Sequence, residues 1–343
     1  MDSITQAALG ATVAGAIAGK KCNAKVLLAG AALGTLPDLD VMLDYGDAVS
    51  NTINHRGFSH SLLVLPPLAL LISWLYSRFR PDSFWTFSKV FILTLSVLVT
   101  HPLLDAMTTY GTQLLWPIHG YFAVSSVFII DPLYTLPLLA ATGVALVAKD
   151  KGGRWCRRML ILSTLYLGWG YAAQQVIADR VEQTLSAQNI PGDQVLITAT
   201  PFNTLLWRIL VIGDGQYHEG LASLLDREDQ IDFVSRPLGH WPITEPSESH
   251  DGLKAFSRNF LSYREEEGSL IASDLRMGMA EQLSFEFVLA ERNDNGEWKL
   301  TEPPYRYESE LSLERFDSLW ERLKGNQSIN ANLELDLQSN TAS

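Results

Sequence analysis

Glutamate is absent from the first 175 residues of this 343-residue chain, and that absence divides it in two. Up to residue 175, 12 Lys+Arg stand against nine Asp, a net of +3. From residue 176 onward, 14 Lys+Arg stand against 29 Asp+Glu, a net of −15. Such a split predicts two bodies adapted to different surroundings, an apolar first half and an acidic, solvated second half. The overall charge of −12 and the lack of a basic stripe exclude nucleic acid as the main partner. Cys22 and Cys156 are the only cysteines and form no Cys-x-x-Cys pair, so neither a disulfide framework nor a cysteine zinc site is expected. The N-terminus carries no positive charge before Lys20, which does not fit a secretory signal with its basic leading region.

Six apolar stretches, 4–19, 26–36, 61–77, 88–104, 127–148 and 158–175, organise the first half. The last four approach the ~20 residues that cross hydrocarbon, whereas the first two are short and rich in Gly and Ala. Gly10, Ala14 and Ala18 recur every fourth residue, as do Gly30 and Gly34, a pattern that lets helices pack closely. The expected fold is an α-helical integral membrane bundle of about 4–6 transmembrane or re-entrant helices over 1–180. A smaller β-rich α+β acidic domain is expected over 190–325, and a disordered polar tail over 326–343. Within the second half, 195–200, 205–212 and 283–289 read as strands, Asn293–Gly296 as a turn, and Leu311 to Leu323 as an amphipathic helix. Lys and Arg concentrate between alternate apolar stretches, at 20–25, 78–89 and 149–158. If the stretches alternate across a bilayer, those connections are cytoplasmic, and 37–60, 105–126 and the acidic domain face the other side.

Polar chemistry in the first half gathers at three places. Pro37-Asp38-Leu39-Asp40 precedes His55-Arg56-Gly57-Phe58-Ser59-His60-Ser61, and His101-Pro102-Leu103-Leu104-Asp105 follows an apolar run. Ionisable side chains beside membrane segments are costly and usually functional. Asp38 and Asp40 alternate in what reads as extended chain after a proline. His55 and His60 need a turn at Gly57 to meet one ion, and His101 and Asp105 share a helix face at i, i+4. His55, His60, His101, Asp38, Asp40 and Asp105 are therefore candidate metal ligands. Imidazole with carboxylate suits Zn²⁺, with Mn²⁺ or Fe²⁺ as alternatives, and six candidates leave room for one ion or two. Asp38, Asp40 or Asp105 would serve as general base, and Arg56 would hold an anionic substrate group. Asp131, in Ile130-Asp131-Pro132, reads either as a further ligand or as a helix N-terminal carboxylate.

These motifs, with Met1-Asp2-x-x-Thr5 before them and Thr108-x-Tyr110-Gly111 after Asp105, resemble the YdjM/YbcI-type family of membrane-bound metal-dependent hydrolases. The resemblance covers roughly residues 1–180, and the run from Thr200 to Trp207 resembles an extension seen in long members. It implies a multi-pass protein of the inner membrane with a divalent metal at these His and Asp positions. One departure is Gln6, where members commonly carry His after Thr. Residues and resemblance together lead to the expectation of a hydrolase acting on an ester or phosphoester of a lipid or lipid-linked substrate at the extracytoplasmic face. The rival readings are a non-enzymatic membrane scaffold or lipid-binding protein with a structural metal, and a transporter using His and Asp as a proton relay. Oligomeric state is not legible.

Overall fold

The computed structural model describes residues 1–118, 120–148, 151–308 and 316–335. Its α-helices are α1 (Ser3–Ala18), α2 (Ala24–Thr35), α3 (Ala48–Asn54), α4 (Leu65–Phe79), α5 (Phe87–Asp105), α6 (Pro132–Val147), α7 (Gly152–Gln188), α8 (Glu248–Phe256) and α9 (Phe316–Leu323). The chain divides into two compact units. Unit 1 comprises 1–43, 55–171 and 201–203, and unit 2 comprises 44–54, 172–200 and 204–343.

Unit 1 is helical. Asp2 caps α1 by accepting from the backbone of Ile4 and Thr5 at 3.1 and 3.0 Å. The Gly/Ala pattern then sets how α1 meets α2. A Cβ on Gly34 would stand 2.6 Å from the Gln6 carbonyl oxygen, so the two backbones touch where no side chain intervenes. Leu9, Val13, Val97, Leu104 and Leu138 bury a common core among α1, α5 and α6. Leu65 and Ala69 fasten α4 to Leu98 of α5.

The expected bundle of four to six spanning or re-entrant helices is corrected by these lengths. Among the described residues, α5 alone is long and apolar enough to cross a membrane, or two spans exist if the bent pair Ala48–His60 and Leu65–Phe79 counts as one. Helix α1 has 16 residues and α2 has 12. At ~1.5 Å per residue even α1 reaches only about 24 Å, short of a hydrocarbon core of about 30 Å. These two already read as short in the sequence; of the four longer stretches, 61–77 and 127–148 yield α4 and α6 of only 15 and 16 residues, which begin at Leu65 and Pro132. Most of α1 is also buried within unit 1 itself. The orientation argument rested on alternating spans and loses its basis with them.

Unit 2 carries three antiparallel sheets. The first orders β1 (Gln194–Ala199), β2 (Leu206–Gly213), β3 (Gln216–Ser223) and β4 (Phe233–Pro237) as a meander. The second orders β10 (Trp298–Arg306), β9 (Glu286–Arg292), β6 (Ser269–Asp274) and β5 (Leu261–Glu266), and the small hairpin of β7 (Gly278–Met279) and β8 (Gln282–Leu283) lies between β6 and β9 in the chain. Strand β2 shows why the first sheet is stable. Trp207, Ile209 and Val211 pack with Ile177 and Val181 of α7, as the period-two alternation of a strand requires. On the opposite face Leu206 and Leu210 join separate apolar clusters, and between them Arg208 pairs with buried Glu219 at 2.5 Å. The turn at 293–296 closes with Gly296 N–H donating to the Asn293 carbonyl at 2.8 Å. Leu311 and Leu313 of the expected amphipathic helix lie outside the described residues, as do 336–343 of the expected tail. Ile329, Ala331 and Leu333, at the start of that tail, are buried.

Candidate metal centre

The close α1–α2 contact places two groups that the centre uses, the Gln6 side chain and the Gly34 carbonyl. After α2 the chain tightens into a 3₁₀ helix, Pro37–Met42, with proline at its start. Asp38 and Asp40 therefore sit on a 3₁₀ turn and not on extended chain. Their carboxylates diverge, Asp38 toward the histidines and Asp40 toward the 55–59 turn. That turn is sharp, with Arg56 in the left-handed region at φ 62° and its N–H held by Asp40 Oδ2 at 2.9 Å. His60 follows on a short 3₁₀ segment, Phe58–His60. His101 and Asp105 come from the last turn of α5, where Pro102 lies inside the helix.

Asp38, His60, His101 and Asp105 form one group whose ligand atoms all lie within 4.8 Å of one another. His60 Nε2 and His101 Nε2 are 3.1 Å apart. Asp38 Oδ1 is 3.4 Å from the first and 3.2 Å from the second. Asp105 Oδ2 is 3.2 and 3.3 Å from the same two atoms. A tetrahedral ion with bonds of about 2.0–2.1 Å spans ligand pairs of about 3.3 Å, and these separations match five of its six edges, the sixth, between Asp38 and Asp105, lying within 4.8 Å. The side chains of His60, His101 and Asp105 are at most 1% exposed, whereas Asp38 is 20% exposed and marks the edge that solvent reaches.

Hydrogen bonding assigns the tautomers. His101 Nδ1 lies 2.5 Å from the Gly34 carbonyl, which only accepts, so Nδ1 carries the proton. Ser59 donates its hydroxyl proton to Asp40 Oδ2 at 2.6 Å and must accept from His60 Nδ1 at 2.8 Å. When both rings are neutral, these tautomers turn bare Nε2 lone pairs toward each other, with carboxylate oxygens on either side. Asp105 completes the arrangement. Its Oδ1 takes the Met1 amine, Gln6 Nε2 at 3.1 Å and Arg56 Nη2 at 3.4 Å, while Oδ2 is buried with no hydrogen-bond donor.

Four of the six candidate ligands are brought together, and two are not. His55 Nδ1 binds Asp40 Oδ1 at 2.8 Å, so the pair forms a dyad beside the group. Burial raises Asp40, and the bonds from His55 and Ser59 more than reverse it. The His55 ring lies 6.1 Å from that of His60 and 5.7 Å from that of Tyr110. The Arg56 guanidinium, expected to meet substrate, lies over Tyr110 and against Asp105. Asp131 caps α6 through Leu133 N at 3.0 Å, accepts from Tyr166 at 2.9 Å, and takes no place in the group. His119 lies outside the described residues. The Met1 amine, Gln6 and the Gly34 carbonyl were not anticipated as parts of the centre. A backbone carbonyl leaves no trace in side-chain pattern, and only the departure at Gln6 was a signal.

The family model described as YdjM inner membrane protein matches residues 1–177. Inner membrane protein YbcI of Escherichia coli is 32% identical over 171 residues, which cover 48% of this chain and 95% of that protein. Uncharacterized protein YfhP of Bacillus subtilis is 24% identical over 237 residues, 67% of this chain and 69% of that one. No solved structure matches the chain.

Proposed function

Because the chain belongs to the YdjM family of inner membrane proteins, we propose that its helical unit is a membrane-bound metal-dependent hydrolase of ester or phosphoester bonds in a lipid or lipid-linked substrate. Asp38, His60, His101 and Asp105 would hold one divalent ion, and zinc fits two imidazoles with two carboxylates. The observation that carries this reading is the pair of bare Nε2 atoms 3.1 Å apart. Two neutral rings this close, flanked by carboxylates, repel unless a metal ion or a shared proton lies among them.

An ion held there would supply Lewis acidity to an ester or phosphoryl oxygen and acidify water at the site. The chain's own residues supply the rest. The Gly34 carbonyl and Ser59 keep His101 and His60 in the ligating tautomer. Arg56, Gln6 and the Met1 amine hold Asp105 Oδ1 so that Oδ2 faces the group. The Asp40–His55 dyad is the proton carrier in this reading. Asp40 fixes Nδ1–H, and the 24% exposed ring offers Nε2 to take a proton from water.

One observation favours a second reading, a structural metal. Four protein ligands close a tetrahedral zinc, and three of these four are buried. Metal content and turnover on a panel of carboxyl and phosphate esters, including lipid substrates, separate the two. Hydrolysis that vanishes with chelation and returns with Zn²⁺ supports the hydrolase. Bound metal with no turnover on any ester supports the structural role.

A further inference from the structure

The two cysteines, 134 positions apart in the chain, meet in unit 1. Cys22 ends the turn after α1, and Cys156 lies in the first turns of α7. Gly15 is the notch that admits both sulfurs. A Cβ there would stand 2.6 Å from Cys156 Sγ and 3.2 Å from Cys22 Sγ. The backbones behind them are already in contact, since a Cβ on Gly153 would lie 2.6 Å from Gly19 Cα. Both sulfurs therefore border one notch in the core of unit 1. Ala16, Ala18, Leu27, Ala141 and Ala145 close an apolar cluster around them. Lys20, Lys21 and Lys25 flank one cysteine in sequence, and Arg154, Arg157 and Arg158 flank the other.

We propose that Cys22 and Cys156 form a peroxide-sensitive dithiol that closes to an intramolecular disulfide, joining the α1–α2 connection to the start of α7. A disulfide needs converging backbones and sulfurs; the chains touch at Gly19–Gly153, three residues before each cysteine, and both sulfurs border Gly15. Burial selects a small neutral oxidant over a bulky disulfide reagent. Cys22 reacts first, because it is 6% exposed against 0% for Cys156 and the neighbouring Cys156 thiol holds its pKa below the ordinary thiol value. Cys22 sulfur attacks one peroxide oxygen, the O–O bond breaks, and the departing hydroxide takes a proton to leave as water. Cys156 sulfur then attacks the sulfenic sulfur of Cys22. The S–S bond forms, the S–O bond breaks, and hydroxide leaves with the Cys156 proton as a second water. Each thiol loses one hydrogen, and one peroxide is reduced to two waters.

The test uses the full chain in detergent, treated with hydrogen peroxide, denatured, alkylated and digested with trypsin. Cleavage after Lys21, Lys25, Arg154 and Arg157 leaves peptides 22–25 and 155–157, each with one cysteine. The expected product is these two peptides linked, two hydrogens lighter than their sum and separated by dithiothreitol. In Cys156→Ala, dimedone should trap a sulfenic acid at residue 22, and in Cys22→Ala residue 156 should take none. Recovery of both cysteines as alkylated thiols from peroxide-treated wild type would overturn the proposal without reliance on any variant. So would a link between two copies of the chain, or trapping at residue 156 in Cys22→Ala.

Discussion

At the scale of single residues, the proposed function assigns Asp38, His60, His101 and Asp105 to hold an ion and the Asp40–His55 pair to move protons. His60→Ala or His101→Ala removes a buried ligand, and the purified protein should lose its metal, read by elemental analysis. His55→Gln leaves all four ligands in place, so metal content should be unchanged while ester turnover falls by about 10²-fold or more, the usual worth of a positioned proton carrier. Loss of metal in His55→Gln would instead make that ring a ligand. The six candidate residues were visible in sequence because carboxylates and imidazoles stand out in apolar chain. Their division into four ligands and an Asp40–His55 dyad was not. That division depends on which way a six-residue 3₁₀ turn faces its carboxylates, and on a left-handed Arg56 that redirects His55. Neither has a signature in spacing.

At the scale of elements, the α1–α2 contact positions the centre through Gln6 and Gly34. Gly34→Ala would drive a methyl group into the Gln6 carbonyl, and overpacking of this kind costs about 1–3 kcal/mol. Thermal unfolding in detergent should show a lowered midpoint with metal affinity reduced in parallel. An unchanged midpoint would mean the helices separate freely. The small-residue rows announced this contact, and the C-terminal ends of α1 and α2 fall within a residue of the ends of the apolar stretches that gave them. In unit 2, His250 of α8 stacks on Trp241 with ring centres 4.2 Å apart and bonds Tyr263 at 2.9 Å. Burial lowers its pKa below the ordinary 6.5, more than nearby Asp251 raises it. Protonation therefore favours the unfolded chain. The ring's contribution is complete above pH 6.5 and is lost as pH falls through the lowered folded value. Denaturation midpoints followed by tryptophan fluorescence should drop over that window, and His250→Phe, which keeps a ring on Trp241, should flatten the drop. An equal slope in the variant would place the titration elsewhere.

At the scale of the whole molecule, the apolar stretches of the first half read as helices and the alternating runs of the second half as strands, and both kinds of structure are present. The number of membrane spans was overread, because mean hydropathy does not distinguish a helix buried against its neighbours from one long enough for a bilayer. The family and α5 still place the chain at the inner membrane. It should resist carbonate extraction and be released by detergent; release by carbonate alone would contradict membrane insertion. The central claim is that Asp38, His60, His101 and Asp105 enclose a cation. Elemental analysis of detergent-purified wild type beside His60→Ala/His101→Ala tests it most directly. The account predicts close to one divalent ion per wild-type chain and none in the double variant. Wild type purified without metal and unable to take up Zn²⁺, or equal metal in both proteins, would contradict it.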